Sequence, residues 1–133
     1  MKANFLVIPI LFLLFYSCCG KEPEPVAVIR IHYQNVIESQ YVTAVPCEKG
    51  NIYNRLDTIQ IGSLSELNNY TILLDVTDNS SDYLLQVEGS NQTDTITDIH
   101  TTWKEGRCNR ALKDFSYKHN GESRSDANLT ITL

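Results

Sequence analysis

Tyr70-Thr71-Ile72-Leu73-Leu74-Asp75-Val76-Thr77-Asp78-Asn79-Ser80-Ser81-Asp82-Tyr83-Leu84-Leu85-Gln86-Val87 is the stretch that decides the fold. Tyr70, Ile72, Leu74 and Val76 alternate with Thr71, Leu73, Asp75 and Thr77. A period of two is that of a strand with one buried face. Asp78 to Asp82 is dense in turn formers, and Tyr83, Leu85 and Val87 then resume the alternation. The pattern predicts two strands forming a hairpin with a loop of about four or five residues.

The same reading extends outward. Upstream, Leu64 to Asn69 reads as a short helical turn or loop, and Leu56 to Ile61 as a strand. Tyr41 to Val45 is a strand ended by Pro46, because proline cannot donate to a sheet ladder. Val26 to Tyr33 is the first strand, with Ile29, Ile31 and Tyr33 on one face and Arg30 and His32 on the other. Downstream, Thr95 to Trp103 is a strand with Ile99 and Trp103 as core anchors, and Leu112 to His119 is another. Asn120-Gly121 is a strong hairpin-turn signal, and Leu129, Ile131 and Leu133 face one way on a last strand. About seven to eight short strands without a long helix predict an all-β fold, an antiparallel immunoglobulin-like β-sandwich. A small closed β-barrel is the alternative. The cysteine and tryptophan spacing of true immunoglobulin domains is not met.

The amino terminus reads differently. Met1 to Asn4 carries one positive charge, and Phe5 to Tyr16 is uncharged and apolar. That run is shorter than the roughly 20 residues a membrane-spanning helix needs, and it suits the apolar region of a signal peptide. Ser17-Cys18 resembles a bacterial lipobox. The resemblance implies cleavage before Cys18 and lipidation of its thiol; an ordinary signal peptide cut near Gly20 is the alternative. Two or more acyl chains give a stable membrane anchor. The predicted organisation is a signal peptide over 1–17, a lipidated cysteine and tether over 18–25, and a sandwich over 26–133. Lys21-Glu22-Pro23-Glu24-Pro25 reads as a semi-rigid extended spacer.

The formal net charge is −5. That argues against nucleic acid, which needs clustered Lys and Arg. It also leaves the lipid, not charge, to hold the chain on a membrane. The chain has four cysteines. If Cys18 carries lipid, Cys47 and Cys108 are the natural disulfide pair in an oxidising compartment, worth about 4 kcal/mol in the chain-entropy model. Two separate buried thiols are the alternative. Cys19 is left without an obvious partner.

No pattern for catalysis, a metal or a cofactor stands out. His32, His100 and His119 fall on three separate strands without metal-ligand spacing. Asp75, Asp78, Asn79 and Asp82 cluster at one turn, which suits either an ordinary polar turn or a calcium loop lacking the EF-hand spacing. No Gly-x-Ser-x-Gly elbow exists, and nothing marks two carboxylates as a glycosidase pair. Tyr33, Tyr41, Tyr53, Tyr117 and Trp103 are candidates for a sugar-stacking platform, with core use as the alternative. Arg107, Asn109 and Arg110, flanking Cys108, form the most basic stretch and a candidate partner-binding loop.

As a whole the chain resembles the small lipoproteins of Bacteroidetes. The resemblance rests on Ser17-Cys18, the acidic tether, the run Tyr70 to Asp82 with Asp94-Thr95-Ile96, and Cys108 followed by Phe115 and Tyr117. It implies an exported, outer-membrane, lipid-anchored β-rich protein, on the periplasmic or the cell-surface face. The expected function is non-enzymatic binding of a protein or glycan partner. An immunity-type or inhibitor lipoprotein is the alternative, and a cryptic hydrolase the third.

Overall fold

The computed structural model describes residues 24–106 and 109–133, and these hold ten strands and one short 3-10 turn. In chain order the strands are β1 (Val28–Gln34), β2 (Gln40–Glu48), β3 (Asn51–Arg55), β4 (Ile59–Leu64), β5 (Thr71–Asp75), β6 (Ser81–Val87), β7 (Thr93–Glu105), β8 (Arg110–His119), β9 (Glu122–Arg124) and β10 (Asn128–Thr132). The turn, Glu66–Asn68, lies where Leu64 to Asn69 predicts one.

Two sheets face each other as a sandwich. The smaller has the order β10-β1-β5; the larger, strongly curled, runs β3-β2-β6-β7-β8-β9, with β4 also paired to β2. One pairing departs from the antiparallel rule: β10 lies parallel to β1, with Ile31 beside Leu129 and Tyr33 beside Ile131. Between the sheets lies the core predicted from the alternation. Ile29, Ile31 and Tyr33 meet Ile72, Leu74 and Val76 from the small sheet, and Val42, Leu85 and Tyr117 from the large one. Burying each such aliphatic side chain stabilises the fold by roughly 2 kcal/mol.

The predicted hairpin is corrected. β5 pairs with β1 and β6 with β2 and β7, so the two strands belong to different sheets. Residues 76–80 arch from one layer to the other. Both strands present their apolar faces inward, and such faces can meet across a sandwich as well as line one surface. Asp82 is also not a loop residue; it lies in β6 and is buried.

Pro46 does not end β2, which continues to Glu48. The Pro46 carbonyl accepts from the Leu56 N–H, so this edge of the residue faces the gap where the β4 pairing gives way to β3. The missing N–H therefore removes no bond to β6. β7 carries a bulge between Thr97 and His100, with Asp98 at φ +51°. The extra residue shifts the phase, so Ile96 and Ile99 both point into the core although they are three apart. Trp103 and Phe115 pack against the core's margin. Asn120 and Gly121, at φ +49° and +86°, form the predicted turn, which joins β8 to the short β9.

The two ends of the sandwich differ. The chain enters at Ala27, whose N–H donates to Thr77 Oγ1 and whose carbonyl accepts from the Val76 N–H. At this entry end Lys49 Nζ donates to the carbonyls of Asn79 and Ile99, tying the β2–β3 turn, the arch and the bulge together. β7 and β8 run on from here as a two-stranded ribbon, Glu105 paired with Arg110. The far end holds the start of β2, the end of β6 and the turn after it.

Candidate functional site

A groove of about 470 Å³ opens at the far end, on the solvent face of the large sheet. β4, β2 and β6 lie side by side there. Thr43 is opposite Gln60 on one neighbour and Gln86 on the other, so these three side chains form a row across the sheet. They face outward because Val42 and Ala44, their neighbours along β2, face the core. One step along β2 stands Tyr41, on the same outward face and 51% exposed. The Glu88 N–H donates to the Tyr41 carbonyl, which brings Glu88 beside the ring's strand.

The groove's rim is built locally. Ser90 N–H donates to the Val87 carbonyl, closing a tight turn, and Gly89 takes φ +76° at its third position, where an L side chain would be strained. The Gln40 side chain donates to the Glu88 carbonyl at 2.7 Å and holds that turn against β2. The lining is thus one aromatic ring, two amides, two hydroxyls, the Val87 side of β6 and one carboxylate, Glu88. It contains no cation.

The residues singled out from the sequence are dispersed. Cys18, Cys19, Arg107 and Cys108 lie outside the described residues, as do the signal peptide and most of the tether. Arg110 lies on β8 with its guanidinium over the Trp103 ring, 5.3 Å from the centroid. The Asn109 carbonyl accepts from the Gly106 N–H at 2.8 Å and closes the end of the β7–β8 ribbon. Cys47 is a buried free thiol; its Sγ donates to the Val45 carbonyl. Burial pushes that thiol's pKa up, Arg55 partly offsets the rise and Asp82 adds to it.

Of the five candidate aromatics, Tyr33 and Tyr117 are core residues, and burial raises the pKa of both phenols. Trp103 is half-buried, whereas Tyr41 and Tyr53 are exposed. The three histidines do not meet. His32 Nδ1 bonds to the Asn69 carbonyl, and His119 Nε2 lies 2.9 Å from Asp94 Oδ1. His100 lines a smaller hollow of about 240 Å³ in which Asp98 and Lys118 pair with each other. The acidic cluster at the arch does not converge either. Asp75 caps Thr77, Asp78 caps Ser80, and Asp82 turns away to accept from the Gly50 and Asp98 N–H groups. Among the described residues no three His, Cys, Asp or Glu side chains group as metal ligands. No described helix is long and apolar enough to cross a membrane.

Gln60, Gln86, Glu88 and Ser90 are site residues that sequence reasoning missed. They come from two separate segments, β4 and the end of β6 with the turn after it, and only the register of β4 and β6 on β2 brings them to Tyr41. No family model, curated protein or solved structure matches the chain.

Proposed function

We propose that this chain is a lipid-anchored, non-catalytic binding module that takes an uncharged glycan in the Tyr41 groove. The row Gln60, Thr43 and Gln86 beside the exposed Tyr41 ring carries the reading. A sugar has an apolar ring face and a fringe of hydroxyls. An aromatic ring takes the first, and amides and hydroxyls take the second. The lining has no Arg or Lys to draw a phosphate or sulfate. Its single carboxylate falls short of the pair that glycoside hydrolysis uses. The anchor at Cys18 of an outer-membrane protein belongs to the same proposal, supported by the Ser17-Cys18 sequence.

A glycan array probed with the full chain tests it. Binding of neutral oligosaccharides is expected, with at least a tenfold loss of affinity in Tyr41→Ala and an unchanged melting temperature, because the ring is largely in solvent. Absence of binding across the array, or binding that Tyr41→Ala leaves intact, overturns it.

A further inference from the structure

We infer that the β7–β8 ribbon is a membrane-contacting foot that lays Trp103 and Arg110 on the phospholipid surface and turns the Tyr41 groove away from it. The inference rests on the proposed anchor, and it adds an orientation that the anchor alone does not supply.

Strand register fixes which features share an end. β1 begins at Val28, opposite Asp75, the last residue of β5. The arch after β5 is bonded to β7 through Asn79, whose side chain donates to Thr101 Oγ1 at 3.0 Å. The point where the tether joins the domain is therefore the point from which the ribbon departs. From Thr101 to Glu105 the ribbon advances roughly 13 Å at strand rise. Neither β6 nor β9 pairs with it there: the β6 register ends at Ile96 and the β9 register begins at Tyr117.

The ribbon's side chains suit the headgroup region of a bilayer. Trp103 is an amphipathic ring of the kind that settles at membrane interfaces. Arg110 places its guanidinium over that ring, a cation on an aromatic face. Leu112, directly opposite Trp103, is 41% exposed. Glu105 lies directly opposite Arg110 and balances its charge, so this face is neutral and its contact rests on Trp103 and Leu112. A chain held at the membrane by lipid needs no affinity from such a contact; the contact only selects one orientation from many. That orientation matters for the proposed function, because the groove lies at the opposite end of β2 and β6.

Trp103 is the chain's only tryptophan, so the wild-type protein carries its own probe. The lipidated full chain is reconstituted in phosphatidylethanolamine and phosphatidylglycerol vesicles whose acyl chains are brominated near the headgroup. At least a twofold quenching of Trp103 emission is expected relative to unbrominated vesicles. The double variant Trp103→Phe with Tyr41→Trp moves the probe to the groove and is expected to stay unquenched. A chain that floats with the vesicles but shows no Trp103 quenching overturns the foot while leaving the anchor standing. Equal quenching at both positions overturns the orientation. A chain that does not float overturns the anchor, and the foot with it.

Discussion

The Asp82 carboxylate on β6 accepts the backbone N–H of Asp98 on β7 at 3.1 Å, and its second oxygen accepts the Gly50 N–H at 2.9 Å. One side chain, 1% exposed, thus holds a bulge and a turn that the sheet ladders leave unpaired. Asp82→Ala removes both acceptors at once. A loss of about 2–3 kcal/mol is expected, since an unmet buried donor costs its desolvation. Asp82→Asn keeps one acceptor oxygen and should lose about half as much. Urea unfolding of the three proteins checks the order; equal stability of wild type and Asp82→Ala would refute the role.

Asp98 itself makes a surface pair with Lys118 at 2.7 Å. The hydrogen bond from Lys118 and its charge hold the Asp98 carboxyl below the usual carboxylate range, and Asp98 raises Lys118 in return. The sign follows from the linkage between protonation and folding. Asp98's contribution is present above the ordinary carboxylate pKa and is lost as pH falls through the depressed one. Lys118's contribution is present below the ordinary lysine pKa and is lost as pH rises through its raised value. Both groups are exposed, so salt should weaken the pair. NMR titration of the Asp98 carboxyl carbon should show a depressed midpoint that returns toward normal in Lys118→Ala or in 1 M salt.

Cys47 offers a chemical test of the β2 region. The thiol is buried, its proton is directed at the Val45 carbonyl, and its pKa is raised, so the reactive thiolate is scarce. Alkylation of Cys47 in the native protein is expected to be at least tenfold slower than in denaturant. Mapping the label after unfolding without reductant separates two states. Label at Cys47 matches the free thiol of the structure, whereas label at both Cys47 and Cys108 that appears only after reduction fits the bridge expected from the sequence.

Much of the core was legible because period-two alternation records which side of a strand meets water. Ile29, Ile31, Ile72, Leu74, Leu85, Leu129 and Ile131 all lie inside as their spacing requires. Alternation does not record the neighbour. Tyr70 to Val87 therefore reads as a hairpin although its strands join opposite sheets. β3 escaped notice because four of its five residues are exposed, leaving no apolar rhythm to detect. The Asp98 bulge was equally silent; it breaks the phase between Ile96 and Ile99 without any glycine to announce it. The groove followed the same limit. Tyr41 was visible as a candidate, but its amide companions Gln60 and Gln86 become companions only through register.

Asn120 joins local turn chemistry to a buried polar cluster, and two substitutions separate its roles. Its backbone adopts φ +49° in the β8–β9 turn. Its Oδ1 accepts from the Thr95 N–H at 2.8 Å, and its Nδ2 donates at 2.8 Å to Oδ1 of Asp94, a carboxylate only 4% exposed. The same Asp94 oxygen also meets His119 Nε2, and Gln92 donates to the other. Asn120→Gly keeps the left-handed backbone without strain and loses only the side-chain bonds, so a cost of about 1–2 kcal/mol is expected. Asn120→Asp keeps the acceptor for Thr95 but sets an oxygen where Nδ2 donated, against the Asp94 carboxylate. Two carboxylates in contact cannot both ionise cheaply, and the pair should gain a raised pKa. A raised folded-state carboxylate pKa destabilises above that value, and stability returns as pH falls through it. Asn120→Asp should therefore be the less stable variant at pH 7 by about 1 kcal/mol or more. The gap should narrow or invert near pH 5. Thermal unfolding of both variants across that range measures it, and a gap that stays constant with pH would show that Asn120 does not face Asp94 as the structure places it.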